Sequence, residues 1–396
     1  MGVVMLAVAC TSPNEQTISE LSLLLDTLQL QYAPDTQIEL WDVSVQLEEG
    51  SVLLRGNLAS KDVYQAVVQK VDSRFPEVKN ELLLLPQDGN GQLVNGLVNN
   101  SVIHLRKEPS SKTELITQAL LGVPIRILKA EGGKSLIQLP DGYLGWVNTK
   151  EVHALDLEGL NAYKEAEKLI FIEQYGMAFS KLNVSSMPMT DLVIGDILCK
   201  VSEESGFIQV KYPDGRLGWV KSTEVVPADE IFYKNTIKEN LVKTALKYHG
   251  IPYLWGGTSS KNIDCSGLVS NVYFMNGIQL PRDGDMQAII GRELTTEFVS
   301  DGLEAGDLLF FGRKATEGMK ESVTHVAMYI GEGEFIHSSG YRERVSINSM
   351  DSTRENFIDT YPDIFVRSVR ILGEEYKGFS PISENAYYKE IISTTE

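Results

Sequence analysis

The sequence predicts an α+β protein built from a small amino-terminal α+β domain, two related β domains and a larger carboxy-terminal α+β domain. Three observations predict this arrangement. Helical and alternating apolar patterns follow one another early in the chain, a short segment occurs twice in the middle, and helix patterns precede strand patterns in the last third. A chain of 396 residues is long enough for roughly two to four domains.

The first domain is predicted at residues 18–90. Helical periodicity marks ISELSLLLDTLQLQYA and SKDVYQAVVQKVDSRFP, whereas IELWDVSVQLEEG, SVLLRGNL and ELLLLP have the pattern of strands. This αββαβ order favours helices packed on one face of a small sheet. EEGSVLLRGNLAS, with the helix and aliphatic strand that follow it, resembles the BON-type domains of bacterial envelope proteins. No residue of this domain is assigned a function.

The two related β domains are predicted at residues 93–155 and 179–228, with a connector at residues 156–178. QLPDGYLGWVNTKEV in the first recurs as VKYPDGRLGWVKSTEV in the second. In each copy Pro-Asp-Gly favours a tight hairpin turn, and the strand that follows places Trp146 or Trp219 in a small barrel core. These features resemble bacterial SH3-type domains. Cys199, in an aliphatic strand of the second copy, is predicted to be a buried core thiol.

The last domain is predicted at residues 231–396. NTIKENLVKTALKYHG has the pattern of an amphipathic helix that ends at Gly250, and a second helix begins in DCSGLVSNVYF. Strands are predicted in GDLLFF, HVAMYIG, EFIHSSG and FVRSVRI. Helices followed by antiparallel strands indicate a helix packed against a sheet.

Charge and cysteine content exclude several classes of function. The chain has 54 acidic and 36 basic residues and a formal net charge of −18. Such a surface repels phosphate backbones, and no stripe of lysine or arginine offsets it, so nucleic acid is not an expected partner. The three cysteines form neither a CxxC motif nor a cluster with histidine at metal-binding spacing. A disulfide framework and a structural metal site are therefore not expected.

The amino terminus, MGVVMLAVAC, is an apolar run that ends in a cysteine and is followed by polar residues. Residues 1–10 resemble the end of a bacterial lipoprotein signal, in which Cys10 would be lipidated after cleavage. The basic region of such signals is missing, and the alternative is an apolar terminus without a role. The expectation is a cell-envelope protein, periplasmic or on the outer surface, held by lipid or secreted. No other segment approaches the ~20 apolar residues of a membrane span.

One cysteine lies where a helix is predicted to begin. The unpaired N–H groups and the dipole of a first helical turn stabilise a thiolate, which is the nucleophilic form of cysteine. In DCSGLVSNVYFMNG, Asp264 can cap the helix and Cys265 falls in its first turn. The sequence therefore predicts a nucleophilic Cys265 at the exposed end of a packed helix.

Two of the five histidines are suited to assist such a thiol. His325 and His337 lie on neighbouring predicted strands joined by the turn GEGE, so hairpin pairing would bring them together on one face of the sheet. His325 could then accept the thiol proton while His337 fixes its tautomer. Either histidine alone is more typical of a hydrogen-bonded, half-buried strand residue than of a catalytic base. The combination with Cys265 favours a thiol hydrolase.

These segments occur in an order that indicates a family. GIPYLWGG, DCSGLV, LPRDGDMQ, GDLLFF, THVAMYIG and FIHSSG together resemble the NlpC/p60 cysteine peptidases, bacterial cell-wall enzymes with a papain-like α+β core. The resemblance covers nearly all of the last domain. It implies Cys265 as nucleophile, His325 as general base, His337 as the third polar member and Tyr253 as a residue beside the oxyanion. It implies neither a metal nor a cofactor.

Two SH3-type domains before such a domain resemble a narrower subgroup, the γ-D-glutamyl-L-diamino acid endopeptidases, also called dipeptidyl-peptidase VI. These enzymes act on murein peptides with a free N-terminal L-Ala, and their first SH3-type domain closes one end of the cleft. By this resemblance Asp264 binds the substrate amine and Ser266 is a neighbouring polar contact. Glu114 and Tyr143 are candidate partners from the first repeat. The alternative for Glu114 is a solvated loop acid.

One position departs from the family pattern. The family often carries serine after LPRD, whereas this chain has Gly284, and Arg282 and Asp283 are expected to form a structural pair. The leading function is a monomeric cysteine endopeptidase that recycles short murein peptides. The alternatives are a D,L-endopeptidase of intact peptidoglycan and a non-catalytic wall-binding adaptor. The diamino acid of the substrate is either diaminopimelate or lysine, with diaminopimelate expected.

Overall fold

The structure, a computed structural model, describes residues 13–87, 94–375 and 377–389. The predicted lipoprotein signal with Cys10 lies outside the described residues. The chain divides into two compact units, Met1–Gln92 and Leu93–Glu396. In the part of the chain that the structure describes, no helix has both the length and the apolar character needed to span a membrane.

The first unit has the predicted αββαβ order. Its elements are α1 (Pro13–Tyr32), β1 (Trp41–Glu48), β2 (Ser51–Leu58), α2 (Lys61–Arg74) and β3 (Lys79–Leu84). β1 and β2 form an antiparallel hairpin, whereas β2 and β3 are parallel because α2 carries the chain back between them. Aliphatic side chains of both helices and of the sheet form one core, which includes Leu21, Leu25, Leu54, Val67 and Val71.

The second unit begins with an antiparallel sheet, which we call the first β domain. Its strands are β4 (Asn95–Val98), β5 (Val102–Arg106), β6 (Leu115–Leu120), β7 (Pro124–Glu131), β8 (Lys134–Gln138), β9 (Leu144–Asn148) and β10 (Val152–Leu155), with a 3-10 turn at Thr149–Glu151. Their order in the sheet is β10-β4-β7-β8-β9-β5-β6. The predicted Pro-Asp-Gly turn joins β8 and β9, and Gly142 in it has a φ of +89°.

The second β domain repeats this arrangement strand for strand after the helix α3 (Leu157–Glu165). Its strands are β11 (Lys168–Phe171), β12 (Tyr175–Phe179), β13 (Pro188–Val193), β14 (Ile197–Glu204), β15 (Phe207–Lys211), β16 (Leu217–Lys221) and β17 (Val225–Pro227), with a 3-10 turn at Ser222–Glu224. The sheet order β13-β12-β16-β15-β14-β11-β17 corresponds to that of the first β domain, read in reverse. The repeat in the sequence is therefore a repeat of the fold.

The structure corrects the predicted start of the second β domain. The segment 156–178 was expected to be a connector, but its strand β11 pairs with β14 and β17 and belongs to the second sheet. Leu169, Ile170 and Phe171 are buried there, because three consecutive apolar residues in a strand covered on both sides are all removed from water. The second β domain thus begins at Lys168 and not at residue 179.

Two predictions about core residues of the β domains are also wrong. Trp146 and Trp219 are only half-buried, whereas Val147 and Val220 fill the interiors, because neighbouring residues of a strand point to opposite faces. For the same reason the Cys199 thiol is partly exposed. Its neighbour Leu198 occupies the core of the second β domain.

The carboxy-terminal domain has the predicted helices and strands with several short additions. Its helices are α4 (Asp229–Phe232), α5 (Lys238–Lys247), α6 (Cys265–Phe274), α7 (Gly284–Gln287), α8 (Tyr361–Ile364) and α9 (Ala386–Lys389), with a 3-10 turn at Ile382–Glu384. Its short paired strands are β18 (Thr258–Ser259), β19 (Asn262–Ile263), β20 (Ile278–Gln279) and β27 (Ser380–Pro381). The main sheet has six strands in the order β21-β26-β22-β23-β24-β25.

The main sheet positions the residues of interest against one helix. Its strands are β21 (Arg292–Thr295), β22 (Leu308–Arg313), β23 (Ser322–Gly331), β24 (Glu334–Ser339), β25 (Arg344–Ser349) and β26 (Phe365–Arg370). Helix α6 packs on β23 and β24, and their contact is an apolar core that includes Leu268, Val269, Val272, Val326 and Ile336. The predicted helix on an antiparallel sheet is confirmed.

Candidate active site

Cys265 is the first residue of α6 and lies against β23. The Asp264 carboxylate caps the helix by accepting a hydrogen bond from the Gly267 N–H at 2.7 Å. The backbone N–H groups of Val326 and Ser266 lie close enough to the Cys265 sulfur to favour its thiolate and so to lower the pKa of the thiol. The thiol is partly exposed, so it is held in place by the backbone while remaining accessible.

His325 and His337 are in contact, as the hairpin of β23 and β24 predicts. His325 Nε2 lies 2.7 Å from His337 Nδ1, and His337 Nε2 lies 2.9 Å from Asn348 Oδ1 on β25. The amide nitrogen of Asn348 donates to the Asn356 carbonyl at 2.5 Å, which leaves Oδ1 as the acceptor. Hydrogen bonds link His325, His337 and Asn348 in a chain that ends at Asn356.

This chain fixes the tautomers of both neutral histidines. Because Asn348 Oδ1 accepts, His337 carries its proton on Nε2 and accepts through Nδ1. His325 must then donate through Nε2, and its Nδ1 is left as the basic nitrogen. The residue after His325 is Val326, whose N–H contacts the Cys265 sulfur. His325 is thus the sequence neighbour, on β23, of a residue beside the thiol, and its Nδ1 is unprotonated.

Two tyrosines complete the surroundings of the thiol. The Tyr253 N–H donates to the Glu343 carbonyl at 2.9 Å, and burial and the nearby Cys265 raise the pKa of its phenol to about 12. Tyr253 is therefore near the sulfur, where the sequence placed it. The Tyr361 ring is parallel to that of His325 at a centroid distance of 6.4 Å, and its hydroxyl lies 3.5 Å from His337 Nδ1.

The surroundings of Cys265 and His325 favour the neutral thiol and the neutral imidazole. Burial and the adjacent Asp264 carboxylate raise the pKa of Cys265 to about 11, although the N–H groups of Val326 and Ser266 act in the opposite direction. Burial and the neighbouring His337 lower the pKa of His325 well below its ordinary value. Burial and the capping carboxylate thus oppose the thiolate that the start of the helix was expected to stabilise. A thiolate must form by proton transfer to His325.

The pH dependence of catalysis follows from this neutral pair. Only neutral His325 can accept a proton, and its lowered pKa keeps it neutral at pH values below the ~6.5 of an ordinary histidine. We expect kcat at saturating substrate to remain near its neutral value down to that pH and to fall only in more acidic solution. The measurement is kcat from about pH 4 to pH 8. An acid limb with its midpoint at or above ~6.5 would contradict the assignment.

Asp264 and Ser266 belong to a buried network around one arginine. Arg282 donates to Asp264 Oδ2 at 2.6 Å and to Ser266 Oγ at 2.8 Å, and the Arg282 and Asp264 side chains are only 4% and 7% exposed. Gly256 N–H also donates to Oδ2, at 2.9 Å, while Gly267 N–H and Ser266 Oγ donate to Oδ1. Arg282 thus binds Asp264, and the expected structural pair with Asp283 is wrong. The reason is that Asp264 is the deeper carboxylate and needs a buried cation.

This network changes the interpretation of two predicted substrate contacts. The two oxygens of Asp264 accept four hydrogen bonds, which is the number of lone pairs that a carboxylate offers. Ser266 Oγ is likewise buried between Arg282 and Asp264. The Asp264 carboxylate therefore has no acceptor position left for an ammonium ion, and Ser266 Oγ accepts from Arg282. In this structure both hold the start of α6 in position.

The first β domain packs directly against the active-site segments. Thr117 Oγ1 accepts a hydrogen bond from Arg282 Nε at 2.8 Å. Gln118 binds the Thr258 N–H through its side-chain oxygen and the Thr258 hydroxyl through its carbonyl, each at 2.9 Å. These contacts connect β6 to the hairpin β18–β19, which leads into Cys265. The first β domain therefore forms a wall beside the nucleophile.

The structure brings Glu114 and Tyr143 to the same boundary. The indole nitrogen of Trp255 donates to Glu114 Oε1 at 3.0 Å, and Trp255 is in the loop between Tyr253 and Cys265. The Tyr143 hydroxyl donates to Asp283 Oδ2 at 3.1 Å. Asp283 itself is half-buried. Both residues of the first β domain thus contact polar groups of the carboxy-terminal domain.

Sequence reasoning missed three residues of this site. Asn348 is the last residue of an alternating segment, VSIN, that could have been read as a strand beside β24. Tyr361 precedes a proline in a short helix, and no pattern in the sequence relates it to the histidines. Asp283 was assigned only to a pair with Arg282. Among the described residues, no group of three or more histidine, cysteine or acidic side chains is arranged to hold a metal ion.

Comparison with known protein families agrees with this geometry. The model of the NlpC/P60 family matches residues 250–358, which include Tyr253, Cys265, His325, His337 and Asn348. Residues 250–358 form an NlpC/P60 peptidase domain. The model of the bacterial dipeptidyl-peptidase SH3 domain matches residues 105–152, within the first β domain. The predicted fold class, an NlpC/P60 domain preceded by SH3-type β domains, is confirmed.

Individual relatives extend the match beyond the NlpC/P60 domain. Dipeptidyl-peptidase 6 of Lysinibacillus sphaericus is 29% identical over 265 residues, which are 65% of this chain and 92% of that protein. The γ-D-glutamyl-L-lysine dipeptidyl-peptidase of Bacillus cereus is 29% identical over 267 residues, 64% of this chain and 75% of that protein. A solved NlpC/P60 family protein from Bacillus cereus has a TM-score of 0.60 at 23% identity and covers 70% of this chain and 99% of its own. That structure shares the fold.

Proposed function

We propose that this chain is a cysteine peptidase that hydrolyses the bond between γ-D-Glu and the diamino acid of murein peptides with a free N-terminal L-Ala. The observation that carries the proposal is the hydrogen-bonded chain of His325, His337 and Asn348 on the strands against which the helix that begins at Cys265 packs. Two of the relatives are named γ-D-glutamyl-L-lysine dipeptidyl-peptidases. These names support cleavage of the bond between γ-D-Glu and the diamino acid. A role in recycling released peptides in the cell envelope follows from the substrate.

The reaction begins with proton transfer from the Cys265 thiol to His325 Nδ1 as the sulfur attacks the carbonyl carbon of the γ-amide. The negative oxygen of the tetrahedral intermediate is stabilised by the Cys265 backbone N–H and the Tyr253 hydroxyl. His325 then gives its proton to the departing amine, and a thioester remains on Cys265. A water molecule, deprotonated by His325, hydrolyses the thioester and releases L-Ala-γ-D-Glu.

His337 and Asn348 act by holding the base. The His325 Nε2–H donates to His337 Nδ1, which keeps the other ring nitrogen of His325 free to accept the thiol proton. When His325 becomes an imidazolium, this hydrogen bond is charge-assisted and therefore stronger. Asn348 keeps His337 in the accepting tautomer through its own acceptor oxygen. The hydrogen bond from His325 to His337 thus stabilises His325 most when that ring becomes positively charged.

Asp283 is better placed than Asp264 to bind the free amine of the substrate. Among the described residues, Asp283 accepts one side-chain hydrogen bond, from Tyr143, whereas the acceptor positions of Asp264 are filled. Burial raises the pKa of Asp283, and a bound ammonium group would stabilise its anion. Tyr143 and Glu114 lie on the same wall of the first β domain. We therefore assign the amine to Asp283, with Tyr143 and Glu114 as its neighbours.

The free amine provides the test that separates recycling from cleavage of the intact wall. We expect kcat/KM for L-Ala-γ-D-Glu-diaminopimelate to exceed that for its N-acetylated form by about a hundredfold, because acetylation removes the positive charge and its charge-assisted hydrogen bond to Asp283. Asp283→Asn should reduce this preference, whereas Asp285→Asn, which alters an exposed acid two residues away, should not. Equal cleavage of both peptides by the parent enzyme would favour action on polymeric peptidoglycan.

A further inference from the structure

The loop between β24 and β25 borders the active site on the histidine side. The Tyr341 N–H donates to Ser339 Oγ at 3.2 Å, and Ser339 follows His337 by two residues on β24. The Glu343 carbonyl accepts the Tyr253 N–H at 2.9 Å. A side chain at Gly340 would meet the Tyr253 ring at 3.7 Å. Residues 340–343 are therefore fixed between Tyr253 and the end of β24.

This loop presents an arginine without a carboxylate partner. Arg342 is exposed, and its guanidinium lies 5.5 Å from the centroid of the Tyr341 ring. Among the described residues, it forms no ion pair with any acid. Its positive charge reaches the active site, since it contributes to the lowered pKa of His337.

The position of the loop indicates which part of the substrate it meets. The proposed amine site, Asp283 with Tyr143, and the Glu114–Trp255 contact both involve the first β domain. The L-Ala-γ-D-Glu part would therefore extend from Cys265 toward that domain. The diamino acid, on the other side of the scissile bond, would extend away from it. Arg342 and Tyr361 lie on the histidine side of the site, and Arg342 is close enough to influence the pKa of Tyr361.

We propose that Arg342 binds the side-chain carboxylate of the departing diamino acid and makes the enzyme prefer diaminopimelate to lysine. This inference rests on the proposed function. The side chain of diaminopimelate ends in a carbon that carries both an ammonium and a carboxylate, whereas that of lysine ends in an ammonium alone. A guanidinium attracts the former through paired N–H···O hydrogen bonds and repels the latter. The same residue thus supplies attraction to one substrate and repulsion toward the other.

The experiment compares two peptides that differ only in this residue. kcat/KM is measured for L-Ala-γ-D-Glu-diaminopimelate and L-Ala-γ-D-Glu-L-Lys with the parent enzyme, Arg342→Gln and Arg342→Lys. We expect the parent to prefer the diaminopimelate peptide and Arg342→Gln to lower the ratio of the two values by about tenfold, as expected for one charge-assisted hydrogen bond. Arg342→Lys should retain part of the preference for the diaminopimelate peptide, because an ammonium group keeps the positive charge but lacks the paired N–H donors of a guanidinium. Any effect of Arg342 on the histidines acts on both peptides and cancels in the ratio.

Arg344→Gln is the matched control. Arg344 is an exposed arginine two residues along the same segment, so its replacement makes the same change in net charge and should leave the ratio as in the parent. The inference would be overturned if Arg342→Gln lowered kcat/KM equally for both peptides, or if Arg344→Gln lowered the ratio of the two kcat/KM values as much as Arg342→Gln does. Either result would leave the proposed function standing. If the parent cleaves neither peptide, the proposed function itself fails.

Discussion

Replacing Cys265 with alanine is expected to reduce kcat/KM for peptide hydrolysis by about 10⁴-fold or more, the usual loss when a member of a catalytic triad is removed. The sulfur is the attacking atom in the proposed mechanism, and it lies beside Val326, the residue that follows His325 on β23. Binding of the substrate should persist, because Asp283 and Tyr143 are untouched. The measurements are hydrolysis of L-Ala-γ-D-Glu-diaminopimelate and, separately, its binding by calorimetry.

Cys199 provides the matched control. It is the other free cysteine among the described residues and is likewise partly exposed, but it lies on β14 of the second β domain. Burial raises the pKa of its thiol to about 11, so the two thiols share this property and differ in their surroundings. Cys199→Ala should hydrolyse the peptide at a rate close to that of the parent. Cleavage by Cys265→Ala at the parent rate would instead support a wall-binding adaptor that carries a contaminating activity.

Replacing Arg282 with methionine is expected to destabilise the second unit by about 3–5 kcal/mol. The change removes one partner of a buried ion pair and leaves the Asp264 carboxylate, which is 7% exposed, without its cation. It also breaks the hydrogen bond to Thr117 that connects the first β domain to the start of α6. The measurement is the free energy of unfolding from chemical denaturation, with peptide hydrolysis followed in parallel.

Two further variants make the result specific. Arg292→Met removes an ion pair of similar length, 2.7 Å from Arg292 to Glu374, but the Arg292 side chain is 52% exposed. This change should lower the free energy of unfolding by less than about 1 kcal/mol. Adding Asp264→Asn to Arg282→Met should recover part of the lost stability, because the amide still caps α6 without a buried charge. A double variant less stable than Arg282→Met alone would contradict the account of the network.

The residues that the sequence located correctly are those whose positions follow from local patterns. Cys265 starts a helix because Asp264 caps it and apolar residues continue at helical spacing. His325 and His337 meet because two alternating segments are joined by a tight turn, and a hairpin is the simplest way to pair them. In both cases the decisive information lies within about twenty residues of chain.

The parts that the sequence did not predict depend on contacts between distant segments. Arg282 and Asp264 are 18 residues apart, and Arg282 also binds Thr117 in another domain, 165 residues away. Asn348 becomes the partner of His337 only through the pairing of β24 and β25. The start of the second β domain was missed because β11 is a four-residue strand whose apolar run has no alternation. Periodicity reports which face of an element is buried and not which side chain covers it.

The central claim is that the Cys265 sulfur, activated by His325, attacks the γ-carbonyl of a murein peptide. The most direct measurement uses a chloromethyl ketone in which the γ-carboxyl of L-Ala-γ-D-Glu bears the reactive carbon, so that the sulfur displaces chloride and forms a thioether. Mass spectrometry of the digested protein should find the label on Cys265 and none on Cys199. The labelled fraction of Cys265 should equal the fraction of activity lost and reach one equivalent when the enzyme is fully inactive. The His325→Ala variant should be labelled far more slowly. Loss of activity with the label on another residue, or with Cys265 unmodified, would contradict the claim.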